Sequence, residues 1–316
     1  MGIRGLAGFI KWKAADSRRA LIWESHRGET WAIDCACLLY RARAASLSPL
    51  TVIAALLVRL RQAGITPIVI FDGRPPASKS DTIEQRREQR ETAQKEIDSL
   101  EHDMETSDMT HMHKAITEKR VAELKKQVPH VSVGDKDQVK QLLYGAGVLF
   151  VSASGEADDM LGYLARANEV QAVLSTDMDM LARGVSCLIV PETNDAAVMT
   201  EIRTERILSA LRLTYAQFVD ACVLMGTDYT GRGFKTVAPP AAVELARRGV
   251  CWAKMESGEE CAAAAQSLRG DNVSWSSFLS GTQSVRWSAG APPREPETIA
   301  RMCQEQGWPP SWAIIL

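Results

Sequence analysis

Four short apolar runs that end on, or are soon followed by, a carboxylate constrain the fold of this chain more than any other feature. Thr30–Cys35 (TWAIDC) reads as a buried strand closing on Asp34. Pro67–Phe71 (PIVIF) is a second, stopped at once by Asp72-Gly73-Arg74-Pro75-Pro76. Val148–Val151 precedes Glu156 and Asp158, and Ala172–Ser175 precedes Asp177 and Asp179. Cys187–Val190 adds a fifth strand. Helical patterns occupy Pro49–Ala63, Lys136–Gly145 and Asp158–Ala167, and helices are expected to dominate beyond residue 204. Strands alternating with helices predict an α/β fold with a mainly parallel central sheet flanked by helices. In such a sheet ligands gather at the carboxyl ends of the strands, where these acids fall.

Each acid has an ordinary structural role open to it. Acids at a helix start are stabilised by its dipole, which covers Glu156 and Asp158. Asp72 in Asp-Gly and Asp228 in Gly226-Thr-Asp-Tyr229 are common turn chemistry. Taken together they weigh differently, because one sheet edge would concentrate up to seven negative charges: Asp34, Asp72, Glu156, Asp158, Asp177, Asp179 and Asp228. Close carboxylates repel and raise one another's pKa unless a cation neutralises them. With oxygen donors alone, the set suits Mg²⁺ or Mn²⁺ rather than zinc. Two such ions about 4 Å apart activate water and steady a leaving oxygen in phosphodiester hydrolysis.

The stretch 78–130 interrupts the alternation between the second and third strands. It favours helix, shows almost no apolar stripe, and has bases at its ends with acids from Glu96 to Asp108 in the middle. A solvated helical hairpin is one reading; a helical insertion whose basic roots face a polyanion is the other. Lys79 and Arg86 are seven residues apart, two helical turns, so one face could present both cations to a phosphate.

Composition excludes several classes. At 46% hydrophobic and 24% charged residues the chain is neither disordered, fibrous nor a coiled coil. No apolar run reaches the roughly 18–20 residues of a membrane span. The N-terminus is too short an apolar stretch for a secretory signal, and Leu6 stands where a myristoylation signal wants Ser or Thr. A net charge of −2 advertises no global basic field. Seven cysteines without a Cys-x-x-Cys argue against zinc and a disulfide framework and for a reducing compartment, and His111-x-His113 gives little support to a metal site.

These residues resemble the flap endonuclease/XPG-type structure-specific 5′ nucleases. The similarity is carried by Gly2-Ile-Arg-Gly-Leu6, Ala32-Ile-Asp34 with Tyr40, and Phe71-Asp-Gly-Arg-Pro-Pro76 with Lys79 and Arg86. Gly155-Glu-Ala-Asp158, Ser175-Thr-Asp-Met-Asp179 and Met225-Gly-Thr-Asp-Tyr229 continue it. Each motif is weak alone, but six in order and spacing are strong. The resemblance implies a PIN-like nuclease core with an inserted helical arch and a C-terminal helix–hairpin–helix region. The implied division is 1–77 and 131–250 for the core, 78–130 for the arch and 251–316 for a C-terminal extension. It also implies that the seven acids bind two Mg²⁺ ions (or Mn²⁺) directly or through water, and that Lys79 and Arg86 contact the scissile phosphate. Tyr40 would stack on a base, with a buried core tyrosine as its alternative, and Gly2 and Arg4 would lie near the substrate.

Two departures stand out. The family's Gly-Ile-Gly-Pro-Lys-x-Ala hairpin is here Thr236-Val-Ala-Pro-Pro-Ala-Ala242, with Gly231, Gly233 and Lys235 just upstream as candidate substitutes for duplex contact. No sliding-clamp docking motif or basic tail precedes Leu316. The expectation is therefore a monomeric Mg²⁺-dependent 5′ nuclease on branched or flapped DNA, without membrane association, in a reducing intracellular compartment that is the nucleus or a viral replication site if the source is eukaryotic or viral. An RNA endonuclease of the same fold and a catalytically silent nucleic-acid or protein scaffold stay as alternatives.

Overall fold

The computed structural model describes residues 2–73, 80–106, 110–127, 129–192, 198–228, 236–250, 264–266, 268–269 and 291–316. Helix α1 (Leu6–Lys13) leads to β1 (Arg18–Ala20), β2 (Thr30–Asp34), α2 (Cys35–Ala44), α3 (Pro49–Ala63) and β3 (Thr66–Phe71). Two long helices, α4 (Ser80–Thr106) and α5 (His111–Gln127), follow, and then α6 (Val133–Gly145), β4 (Leu149–Ser152), α7 (Ala157–Arg166) and β5 (Ala172–Leu174). The single-turn α8 (Asp179–Ala182) precedes β6 (Cys187–Pro191), β7 (Met199–Arg203), α9 (Thr204–Leu211), α10 (Tyr215–Met225) and α11 (Pro239–Arg247). Helices α12 (Pro296–Gln306) and α13 (Pro310–Ile315) end the chain.

The strands form one seven-stranded sheet in the order β1-β7-β6-β5-β2-β3-β4. The five strands expected from sequence pair in parallel, from β6 through β5, β2 and β3 to β4. Two antiparallel strands, β7 and β1, extend the β6 edge and lie outside that expectation. Both are short and largely polar, so neither carries an apolar run. The order reverses between β2 and β5, and a crevice at such a reversal is where α/β sheets bind ligands.

Burial on both faces explains why the central strands read as continuous apolar runs. Ala32, Ile68, Ile70, Val173 and Leu188 face a core shared with α1, α7 and α10. Trp31, Ile33, Val69, Leu174 and Ile189 alternate to the other face, under α2, α3, α6 and α12. Local chemistry sets the ends of α3. Ser48 caps it by accepting from the Thr51 N–H, Pro49 opens it, and Gly64 closes it at φ 76°.

The insertion is a pair of packed helices, α4 and α5. Contrary to the reading of an element almost devoid of apolar pattern, Ile97, Val121 and Leu124 bury a small core with Ala93, Leu100 and Met104 packed against it. These residues are sparse among charges, so the stripe is thin in the sequence. Arg120 and Glu96 bridge the two helices at 2.7 Å. His111 and His113 lie two apart on α5, a spacing that sends side chains to different faces. Strand β2 stops at Asp34, one residue before its expected end, because Asp34 becomes the N-cap of α2 and Cys35 its first residue. Among the described residues no single helix is long and apolar enough to cross a membrane.

Candidate functional site

The C-terminal ends of β2, β3, β4 and β5 lead into six of the acids, Asp228 follows α10, and backbone N–H groups donate to Asp34, Asp72, Asp177 and Asp179. Asp34 accepts from the Cys37 N–H at 3.2 Å as the cap of α2, and from the Ser175 hydroxyl at 2.8 Å. The same hydroxyl accepts the Asp177 N–H at 3.1 Å. Asp177 in turn accepts the Asp179 N–H at 2.9 Å, and Asp179 accepts the Ile3 N–H at 2.6 Å.

The third strand end is joined to the fourth by an unusual cap. Glu156 is the N-cap of α7 but makes no side-chain cap itself. Asp72, from the end of β3, accepts the Ala157 N–H at 3.0 Å instead. The chains approach so closely there that a Cβ on Gly73 would lie 1.9 Å from the Ala153 carbonyl oxygen. Glycine is required at that position, and the Gly73 N–H donates to the Gly155 carbonyl at 2.8 Å.

Gly2 is fitted to the site in the same way. Its φ is 95°, and a Cβ would fall 2.5 Å from Asp177 Oδ1 and 2.6 Å from Asp179 Oδ1. Only a glycine lets the chain's second residue lie against these carboxylates. Arg4 follows, exposed, its N–H donating to the Gly226 carbonyl at 3.1 Å, two residues before Asp228.

The charges interact. Burial, then the Asp72 charge, with Asp177 adding less, raise the Asp34 carboxyl to about 6 against the bonds from Ser175 and Cys37. Burial, then Asp177, and more weakly Asp228, raise Asp179 to about 7, opposed by Arg183 and the Ile3 N–H. Five of the seven acids thus share one electrostatic neighbourhood, with Glu156 and Asp158 at the head of α7 beside the Asp72 cap. Among the described residues no three acid, histidine or cysteine side chains close on a single ion position. Cys35 and Cys37 are pushed well above the usual thiol range, first by burial and then by Asp34, so they stay protonated and offer no thiolate. Oxygen is the donor type on offer, which fits a hard divalent ion.

Tyr40 is 38% exposed on α2, which rules out the buried core role held as its alternative. Lys79 and Lys235 lie outside the described residues, as do Gly231 and Gly233, and Arg86 falls on α4 with its side chain undescribed. Ser175 and the Ile3 amide also organise the site, beyond the residues expected from sequence. A buried serine two residues before an acid at a strand end is a usable signal, whereas a backbone amide leaves none.

Profiles of the XPG N-terminal domain and the XPG I-region match residues 1–93 and 147–228. Flap endonuclease 1 of Lodderomyces elongisporus is 31% identical over 263 residues, 78% of this chain and 65% of that protein. The matched chain thus spans just under two thirds of that relative's length. Among solved structures, flap endonuclease-1 of Methanococcus jannaschii superposes with a TM-score of 0.62 at 23% identity, covering 94% of this chain and 92% of that one. The Holliday junction-resolving enzyme GEN1, in complex with product DNA and Mg²⁺, gives 0.61 at 16% identity, covering 95% and 72%. At these identities the structural likeness is one of fold.

Proposed function

Because this chain belongs to the flap endonuclease/XPG family, we propose that it is a Mg²⁺-dependent, structure-specific 5′ nuclease that hydrolyses phosphodiester bonds of branched or flapped DNA. The observation that carries this reading is the docking of Gly2 and Ile3 on Asp177 and Asp179, which leaves no room for even one methyl group between backbone and carboxylates. Asp34, Asp72, Glu156, Asp158, Asp177, Asp179 and Asp228 would hold two Mg²⁺ ions, directly or through water. When bound, such ions supply an activated water and a Lewis-acid clamp on the leaving oxygen.

The chain's own groups do the rest. Ser175 and the Ile3 N–H fix the directions in which Asp34 and Asp179 point. Lys79 and Arg86, at the root of the arch, neutralise charge developing on the scissile phosphate. Tyr40, exposed six residues after Asp34, offers a base a sequence-tolerant face. Gly2, Arg4 and Lys235 would contact the nucleic acid. Residues 1–77 and 131–250 supply most of the nuclease core, 78–130 the arch that admits a 5′ single strand, and 251–316 an extension whose helix α12 packs back onto the sheet. The enzyme acts as a monomer inside the cell, in the nucleus if its source is eukaryotic or at a viral replication site if it is viral.

A labelled panel of 5′ flap, 3′ flap, nick, single strand and matched RNA flap, assayed with Mg²⁺ and with EDTA, tests the reading. Asp179→Ala serves as the inactive control. Mg²⁺-dependent cutting confined to 5′-ended branched DNA is expected. EDTA-resistant cutting, or a folded Asp179→Ala protein that cleaves like wild type, would overturn it. Preferential cutting of the RNA flap would move the substrate class to RNA.

A further inference from the structure

Helix α8 has four residues, one turn, too short to hold itself together. It nevertheless carries Asp179 and must keep that carboxylate in one place. Outside groups take over its carbonyls: Tyr215 donates its hydroxyl to the Ala182 carbonyl at 2.6 Å, and Arg166 donates to that of Arg183 at 2.5 Å. The Arg183 side chain is 2% exposed and meets Asp159 of α7 at 2.5 Å. Asp159 adjoins Asp158 in the first turn of α7, the helix that Asp72 caps. The two elements are in close contact, since a Cβ on Gly162 would fall 3.1 Å from the Cβ of Arg183.

We propose that the Asp159–Arg183 ion pair is a positioning clamp, which fixes α8 against α7 so that Asp179 and the acids of α7 face one space. The clamp rests on the two-ion reading above. Burying a guanidinium is costly, and although Asp159 stays 32% exposed, so enclosed an ion pair seldom adds stability over apolar residues of similar volume. What it adds is direction: a charged pair has one favourable geometry, whereas two apolar side chains tolerate sliding. Residues that orient metal ligands typically change metal affinity 10- to 100-fold when replaced.

The test is Mn²⁺ affinity of the full chain, read from the electron paramagnetic resonance of free Mn²⁺, beside thermal melts without metal. Wild type is compared with Arg183→Met, Asp159→Leu/Arg183→Met and, as the ligand reference, Asp179→Ala. The double variant removes both charges, so no lone buried charge is left to unfold the protein. It should melt close to wild type yet bind Mn²⁺ about 10-fold more weakly. Wild-type affinity in a folded single or double variant overturns the clamp alone. Unfolding of both variants makes the pair a stability element and also overturns it. If wild type fails to bind Mn²⁺, or Asp179→Ala binds equally well, the two-ion reading falls and takes the clamp with it.

Discussion

Ser175 Oγ donates to Asp34 Oδ2 across 2.8 Å and so joins the ends of β5 and β2 at the point where the strand order reverses. The hydroxyl also accepts the Asp177 N–H, so one fully buried group orients two acids from different strands. Ser175→Ala should cost about 1 kcal/mol of stability, the usual worth of a buried hydrogen bond. Cleavage should fall further, about 10- to 100-fold, with a higher Mg²⁺ requirement. Mg²⁺ titration of single-turnover rates checks this, and an unchanged titration curve would remove Ser175 from the site.

Gly2 gives a sharper expectation. Any side chain there meets Asp177 and Asp179 and sits at a φ of 95°. Gly2→Ala should move the N-terminal segment off the carboxylates and lower turnover by about 100-fold, the cost of a misplacement near 1 Å. The protein should still melt cooperatively and lose no more than about 2 kcal/mol, because Ile3 packs in the core just ahead of α1, which begins at Leu6. Gly8→Ala is the control: a Cβ there meets nothing within 4 Å, so it should be neutral or stabilising. Equal activity of the two variants would contradict the docking of Gly2.

The parallel core was legible because five strands buried on both faces are continuous apolar runs, and Ser48, Pro49 and Gly64 punctuate α3 visibly. The acids were legible because strand ends in such a sheet share an edge. Other features leave no local trace. β1 and β7 are polar edge strands, and the Asp72 cap on α7 joins residues 85 apart. Arg183 reads as one more surface cation, yet it is buried. Long-range contacts of this kind depend on which elements neighbour one another, which spacing alone does not encode.

The acid cluster also has a pH signature. Asp34 and Asp179 rise from an ordinary 3.8 to about 6 and about 7, first because they are buried and then because carboxylates surround them. Both bind their proton more tightly folded than unfolded. The stabilisation is thus complete below about pH 3.8 and is lost as pH rises through 6 to 7. The metal-free protein should lose on the order of a few kcal/mol between pH 5 and pH 8. Saturating Mg²⁺ should remove that loss, since the ion binds the deprotonated acids. Urea melts at both pH values, with EDTA and with Mg²⁺, check this; a metal-free stability that rises toward pH 8 would sink it.

The last expectation concerns the grip on duplex DNA. Val237 donates to the Leu224 carbonyl at 2.8 Å, which ties the segment before α11 back onto α10. Thr236 Cγ2 sits where a Cβ on Gly226 would come within 2.6 Å, so the segment is packed tightly behind Asp228. Helix α11 then opens on Pro239 and Pro240, which have no N–H to give. The first turn of a helix is where backbone donors meet phosphate, and here two of them are missing. The duplex should therefore be held by fewer phosphate contacts and with a shallow salt dependence. Each restored contact should steepen the slope of log K against log salt by about 0.9. Affinity of Asp179→Ala for a 5′-flap duplex is to be followed across a salt series. The same background then carries Thr236→Gly/Ala238→Gly/Pro240→Lys or Gly231→Ala/Gly233→Ala. Tighter binding and a steeper slope in the triple variant are expected. No gain there, with a clear loss in the double variant, would assign the duplex contact to Gly231 and Gly233 instead.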